Sequence, residues 1–181
     1  EDLSRGLGDV YKRQDTDSLT LTSGAGTITL VEIGGSSKPL TSFVATSDAL
    51  TISNDITTTG LIDINAPVTL GGDVIISSGT GAGNVEFSST ITGTQNLDIL
   101  SGSGAVTITG NIGGGGALTS LDINATGAST GSGNVSILGN IGADGTSGAG
   151  IVNIGNSSTG SITLGTSGTE SEYFTTGAQT Y

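Results

Sequence analysis

The stretch Gly102–Ile112, GSGAVTITGNI, decides the fold. Its opening signature, Gly-(Ala/Ser)-Gly-x-(Val/Ile), occurs five times, at Gly24–Ile28, Gly81–Val85, Gly102–Val106, Gly131–Val135 and Gly148–Val152. Each copy runs into an apolar pair spaced i, i+2. Two further sites keep the pair without the glycines, which gives Ile28/Leu30, Leu50/Ile52, Val68/Leu70, Val85/Phe87, Val106/Ile108, Val135/Ile137 and Val152/Ile154. The residue between is polar in all seven, so the period is two and each site reads as a half-buried strand. Five of the pairs continue to a third apolar residue six positions on, at Ile56, Val74, Ile91, Ile112 and Ile141. Successive pairs start 22, 18, 17, 21, 29 and 17 residues apart, a mean near 21.

A second strand type falls between these, in Ile62-Asp63-Ile64, Leu97-Asp98-Ile99 and Leu121-Asp122-Ile123, with Leu19-Thr20-Leu21 and Ile162-Thr163-Leu164 as further members. Asp-Ile-Asn-Ala repeats identically at residues 63–66 and 122–125. Gly, Asn, Ser and Thr clusters suited to turns separate the strands, and no helical periodicity of useful length occurs. Short strands in coils of near-constant length predict an all-β, right-handed parallel β-helix, a solenoid of about seven coils of roughly 21 residues. Such a rod is roughly 35 Å long, with each strand stacked on its copy one coil away. Outward Thr29, Thr51, Thr69 and Thr107 suit a strand, and aromatics are too wide for most interior layers. Asn54, Asn111 and Asn140 stand one or two residues before the third apolar position, where they would tolerate a left-handed turn and stack into an amide ladder.

Composition removes whole classes of chemistry. Of 181 residues, 33 are Gly, and Cys, Met, Trp and His are all absent. Imidazole bases, thiolate zinc sites, haem ligation and disulfides are therefore excluded. Leu, Ile, Val and Phe together make 45 residues, enough for a thin core and more than the disorder signature allows. Beyond Gln14 the chain carries 13 acids against the single base Lys38. That surface repels phosphate backbones and anionic membranes, so no nucleic acid and no membrane insertion is expected. No apolar run approaches the ~20 residues of a spanning helix.

Residues 1–14 read as a non-native or disordered leader, because Ser4–Gln14, SRGLGDVYKRQ, resembles translated adapter-derived sequence found at the ends of metagenomic reading frames. The β-helix is expected over 15–165, with 166–181 an irregular tail or a truncated coil.

The coils, rich in Gly, Ser, Thr, Asn and Ile, with G-x-G-x-V-x-I and L-D-I strands and no Cys, resemble the secreted β-helical shafts of filamentous-haemagglutinin-type proteins. That group includes two-partner-secretion exoproteins and autotransporter passengers of Gram-negative bacteria, and the resemblance covers residues 19 to about 165. It implies a rigid, non-enzymatic spacer of a large adhesin, extracellular or on the bacterial cell surface. Host or cell-surface glycans or proteins would be met through other regions, and coil ends would stack or self-associate. The chain has no Asn-Pro of the kind found in the family's secretion motif; its prolines are Pro39 and Pro67.

Three rival functions are weighed on the residues. A polysaccharide-active enzyme needs facing carboxylates with a cation or metal, and Asp63, Asp98 and Asp122 sit outward at equivalent strand positions with only Lys38 as cation. A calcium module could draw on the same aspartates with Asp73 or Asp144, but the Gly-Gly-x-Gly-x-Asp nonapeptide is missing. An ice-binding face needs paired Thr ranks; the second rank here reads Val31, Ser53, Gly71, Ser88, Thr109, Leu138 and Gly155, and Glu86 interrupts the first. No catalytic, cofactor-binding or metal residue is assigned, and no cofactor is expected. The coil from Val106 to Val135, with Gly113–Gly116 and Thr126–Gly133, is expected to extrude a loop. Asn124-Ala-Thr and Asn156-Ser-Ser fit the glycosylation pattern at the level chance gives in so Thr- and Ser-rich a chain.

Overall fold

The computed structural model describes residues 17–35, 37–125, 131–142, 148–166, 168 and 170–181. The leader call, Asp144 and residues 126–130 of the expected loop lie outside them. The described residues form an all-β solenoid of about seven turns, without helix.

The first coil contains β1 (Ser18–Thr22) and β2 (Thr27–Leu30), and the second β3 (Ser42–Thr46), β4 (Ala49–Ile52) and β5 (Ile56–Thr57). The third contains β6 (Ile62–Asn65), β7 (Val68–Leu70) and β8 (Val74–Ser77), and the fourth β9 (Val85–Phe87), β10 (Ile91–Thr92) and β11 (Asn96–Leu100). Then come β12 (Val106–Ile108) with β13 (Leu118–Ile123), β14 (Val135–Ile137) with β15 (Ala149–Ile154), and β16 (Ile162–Leu164) with β17 (Gln179–Thr180). Three parallel sheets result. Sheet A runs β1-β3-β6-β9-β12-β14-β16, sheet B runs β2-β4-β7-β10, and sheet C runs β5-β8-β11-β13-β15-β17. Past residue 165 the pairing continues, with Tyr173 bridging Ile141 and Gln179 opposite Val152.

Strand alternation turns one row of aliphatics inward on every sheet. Phe43, Ile62, Val85, Val106 and Val135 make one fully buried column on sheet A, and Ile56, Ile76, Ile99, Ile123 and Ile154 make another on sheet C. Burial of these rows, at ~25 cal/mol per Å² of apolar surface, is the main stabilising term. Two aromatics do fit the interior. Phe43 shares its strand with Ala45, and Phe87 shares its strand with Val85, so a large side chain stands beside a smaller one in the same layer.

The pairs aligned from the sequence belong to three different sheets. Ile28/Leu30, Leu50/Ile52 and Val68/Leu70 stack in sheet B. Val85/Phe87, Val106/Ile108 and Val135/Ile137 stack in sheet A, and Val152/Ile154 lies in sheet C. The alternation is the same on every face, so it marks strands without marking which face they form. Both 17-residue intervals, Val68 to Val85 and Val135 to Val152, therefore connect different sheets. The register partners of Val85 and Val135 within their own sheet lie farther off, at Ile62 and Ile162, and the spacing over the solenoid is about 23 residues rather than 21. The Gly-x-Gly signature likewise precedes a sheet B strand at Gly24, sheet A strands at Gly81, Gly102 and Gly131, and a sheet C strand at Gly148.

Candidate functional site

Re-sorting the strands re-sorts the acids. Asp63 lies on β6 of sheet A directly beside Glu86 of β9, whereas Asp98 stacks on Asp122 in sheet C. The expected equivalence of Asp63 with Asp98 and Asp122 is thus wrong: identical Asp-Ile pairs occupy different faces. Each acid on sheet A meets an amide of its own strand region. Asn65 Nδ2 donates to Asp63 Oδ1 at 2.9 Å, and Asn84 Nδ2 donates to Glu86 Oε1 at 3.4 Å. In sheet C the next member of the column is Asn153, whose Nδ2 donates to Asp122 Oδ1 at 2.7 Å. Below Asp98 the column holds the exposed Ile75. Among the described residues no three Asp or Glu side chains gather into a group that could hold a metal ion.

Lys38 stands apart from every one of these carboxylates' columns. It closes a tight turn, its N–H donating to Gly35 O at 2.9 Å, on an exposed corner between the first two coils.

The outward Thr column is real over part of its length. Thr29, Thr51 and Thr69 are in register on sheet B, but the fourth member is Thr92, not Thr107. Thr107 sits on sheet A between Glu86 and Ser136. The hydroxyls are partly spent within the fold, since Thr92 Oγ1 donates to Val68 O at 3.2 Å.

Asn side chains do tie coils together, by a route other than the one expected. Asn111 Oδ1 accepts from Asn140 N at 3.0 Å, and Asn140 Oδ1 accepts from Glu172 N at 3.1 Å. The same geometry recurs at Asn84 to Ala105, Asn134 to Ser161, Asp55 to Ile75 and Asp73 to Asn96. In all six, a side-chain oxygen on one coil accepts the N–H of the matching residue one coil later. These staples supply an acceptor at corners where the strand ladder stops. Asn54 is not among them; its Oδ1 accepts from the neighbouring Asp55 N. None of Asn54, Asn111 and Asn140 is left-handed: among the described residues the single non-glycine with positive φ is Asn124, at 52°.

Asn124 belongs to a buried polar column at the corner from sheet C to sheet A. Thr58, Ser78 and Ser101 are buried there, each hydroxyl donating to a carbonyl of its own turn: Gly60 O, Gly83 O and Gly104 O at 2.7, 2.6 and 2.7 Å. Asn124, fully buried, holds Ser101 twice, accepting from its N–H and donating to its Oγ, both at 2.9 Å. The sequence signal was a hydroxyl residue two or more positions before a Gly, too common in this chain to stand out. Burial also bears on the two glycosylation patterns. Asn124 is inaccessible, and Asn156 Nδ2 donates to Asn124 O at 2.6 Å and Gly131 O at 3.2 Å.

Tyr173 and Tyr181, in the seventh coil, have phenols shifted above the ordinary tyrosine value, chiefly by partial burial. Among the described residues no helix is long and apolar enough to cross a membrane. The outward strand acids thus fall in two columns, Asp63 with Glu86 on sheet A and Asp98 with Asp122 on sheet C. No protein-family model, curated protein or solved structure matches the chain.

Proposed function

We propose that this chain is a structural shaft: a stiff, non-enzymatic β-helical spacer of a large bacterial adhesin, secreted or held at the cell surface, of the filamentous-haemagglutinin or autotransporter type. The observation that carries the reading is the unbroken parallel register of sheet A through seven strands. At ~4.8 Å per strand the coils advance roughly 30 Å along the axis, and every step is held by backbone ladders that do not depend on a ligand. The function is then mechanical. Ladders and staples give rigidity, the acidic surface gives solubility, and contact with glycans or proteins falls to other regions of the adhesin. Stacking of coil ends on one another is part of the same proposal.

The competing reading is a polysaccharide-active or glycan- or calcium-binding module. Titration calorimetry of the chain with calcium and with a panel of soluble polysaccharides separates the two. The spacer predicts no saturable heat and no cleavage. Saturable binding, or glycan cleavage abolished by alanine at Asp63, Asp98 and Asp122, would replace it.

A further inference from the structure

The chain has ten asparagines, and the side-chain amide of an asparagine is open to attack by the backbone nitrogen of the residue that follows it. Asn84, Asn111, Asn134, Asn140 and Asn153 precede Val or Ile, whose branched Cβ crowds that nitrogen, and Asn96 precedes Leu. Asn65 and Asn124 precede Ala. Asn65, however, lies in β6 with its amide on Asp63, and Asn124 is fully buried with both ends of its amide on Ser101. Two remain: Asn54 before Asp55, and Asn156 before Ser157.

The fold treats these two in opposite ways. The Asn156 amide is clamped, its Nδ2 donating to Asn124 O at 2.6 Å and Gly131 O at 3.2 Å. Its Oδ1 accepts from Ser158 N at 2.7 Å, so it faces the nitrogen two residues on rather than the one that would attack. The Asn54 side chain is exposed, and its Oδ1 accepts from Asp55 N at 2.9 Å. The attacking nitrogen therefore already lies against the carbonyl it must attack. Asp55 is held there from both neighbouring coils: its carbonyl accepts from Ile33 N at 3.1 Å, and its Oδ1 accepts from Ile75 N at 2.8 Å. Holding two reacting groups in contact makes their reaction effectively unimolecular and removes much of its entropic barrier.

We propose that Asn54 is a self-modification site, at which the folded chain deamidates with the backbone nitrogen of Asp55 as nucleophile. Asp55 N gives up its proton to water and bonds to Asn54 Cγ. The Cγ–Nδ2 bond breaks, and Nδ2 takes a proton from water and leaves as ammonia, so a cyclic imide remains. A second water opens the imide at either carbonyl, leaving aspartate or isoaspartate at position 54, and nothing is oxidised or reduced. The isoaspartyl product routes the main chain through the former side chain and lengthens it beside Asp55. Because Ile33 N and Ile75 N both donate to Asp55, that product loosens the second coil against the first and the third.

Incubation of the whole folded chain at mildly alkaline pH, followed by peptide mass mapping with electron-transfer fragmentation, tests this. The amide-to-acid mass gain should accumulate at Asn54 on the order of tenfold faster than at Asn156, with isoaspartate among its products. In urea-unfolded chain the contact at Asn54 and the clamp at Asn156 are both gone, and Asn156 should react at least as fast as Asn54, because Ser157 is smaller than Asp55. Hydrogen exchange at Ile33 and Ile75 should quicken in the modified chain. Asn54→Gln, with an unchanged circular dichroism spectrum, should abolish both the mass gain at position 54 and the quickened exchange. Asn156 matching or outrunning Asn54 in the folded chain, the same order of sites in folded and unfolded chain, or unchanged exchange after modification would each overturn the proposal.

Discussion

The lower and upper coils solve the same packing problem on different faces. Between the first two coils sheet B pairs four residues, and on the sheet C side only isolated bridges join Ile33 to Ile56 and Leu40 to Thr58. Between β13 and β15 the proportions reverse: sheet C pairs five residues, and the sheet B side is one bridge, Ile112 to Ile141. Sheet A runs through both halves. The cause is local. In the lower coils the residue after the inward aliphatic is Thr51 or Thr69, which extends the strand. In the upper coils it is Gly113 or Gly142, with φ of 84° and 85°, which turns the chain out of the β region at once. The ladder lost on one face is regained on the other, because Leu118 and Ala149 start longer strands there.

The sharpest way to break this contrast uses one motif in two places. The second glycine of the signature is Gly26 in the lower half and Gly133 in the upper. A Cβ at Gly26 would meet only the flexible Ser23 side chain, whereas one at Gly133 would overlap the backbone carbonyl of Gly104. Urea unfolding should show Gly133→Ala losing about 3 kcal/mol or more, with Gly26→Ala within about 1 kcal/mol. Equal losses would mean that the corners are alike after all.

Hydrogen exchange should resolve the two faces directly. Amides of β4 in sheet B should outlast those around the isolated Ile112 bridge by on the order of tenfold or more, and on sheet C β13 should outlast β5. Uniform protection would sink the idea that the ladder changes face.

Among the staples, Asn140→Ala removes the acceptor of Glu172 N and should cost about 1 kcal/mol, as should Asp55→Ala for Ile75 N in the lower half. Neutral results at both would reduce the staples to decoration. Smaller still, Asp122→Asn relieves the like-charge stack with Asp98 and should raise stability by a few tenths of a kcal/mol, more at low salt.

Alkaline pH should act first on the seventh coil. The Tyr173 and Tyr181 phenols are raised from 10.0, so the folded chain keeps protons that the unfolded chain releases. Their contribution is full below the unfolded value and is lost as pH rises through the folded one. Loosening of the seventh coil, followed by hydrogen exchange at Phe174, should appear above about pH 10 before the lower coils change.

Much of this fold was legible in the residues. Val106-Thr-Ile108 declares a strand with one wet face, and its recurrence declares a solenoid, because alternation and repeat length are properties of the chain itself. The face each strand joins was not legible, since Val85-Glu-Phe87 and Leu50-Thr-Ile52 satisfy the same rule on sheets A and B. The acids were misgrouped for that reason, and the staples were missed because an Asn or Asp before a strand also reads as an ordinary turn residue.

The tetrapeptide Asp-Ile-Asn-Ala marks the division most clearly. Sequence alone determined that both copies carry an inward Ile, and Ile64 and Ile123 are fully buried. Tertiary structure decided the rest. Asn65 stays in β6 with its amide on Asp63, while Asn124, with identical neighbours, turns left-handed and is buried against Ser101. What differs is the coil beneath: β3 of sheet A keeps Asn65 in register opposite Thr46, whereas the Ser101 corner offers Asn124 a buried N–H and hydroxyl to satisfy. An Asn has few intrinsic objections to either conformation, so the partner one coil away chooses between them.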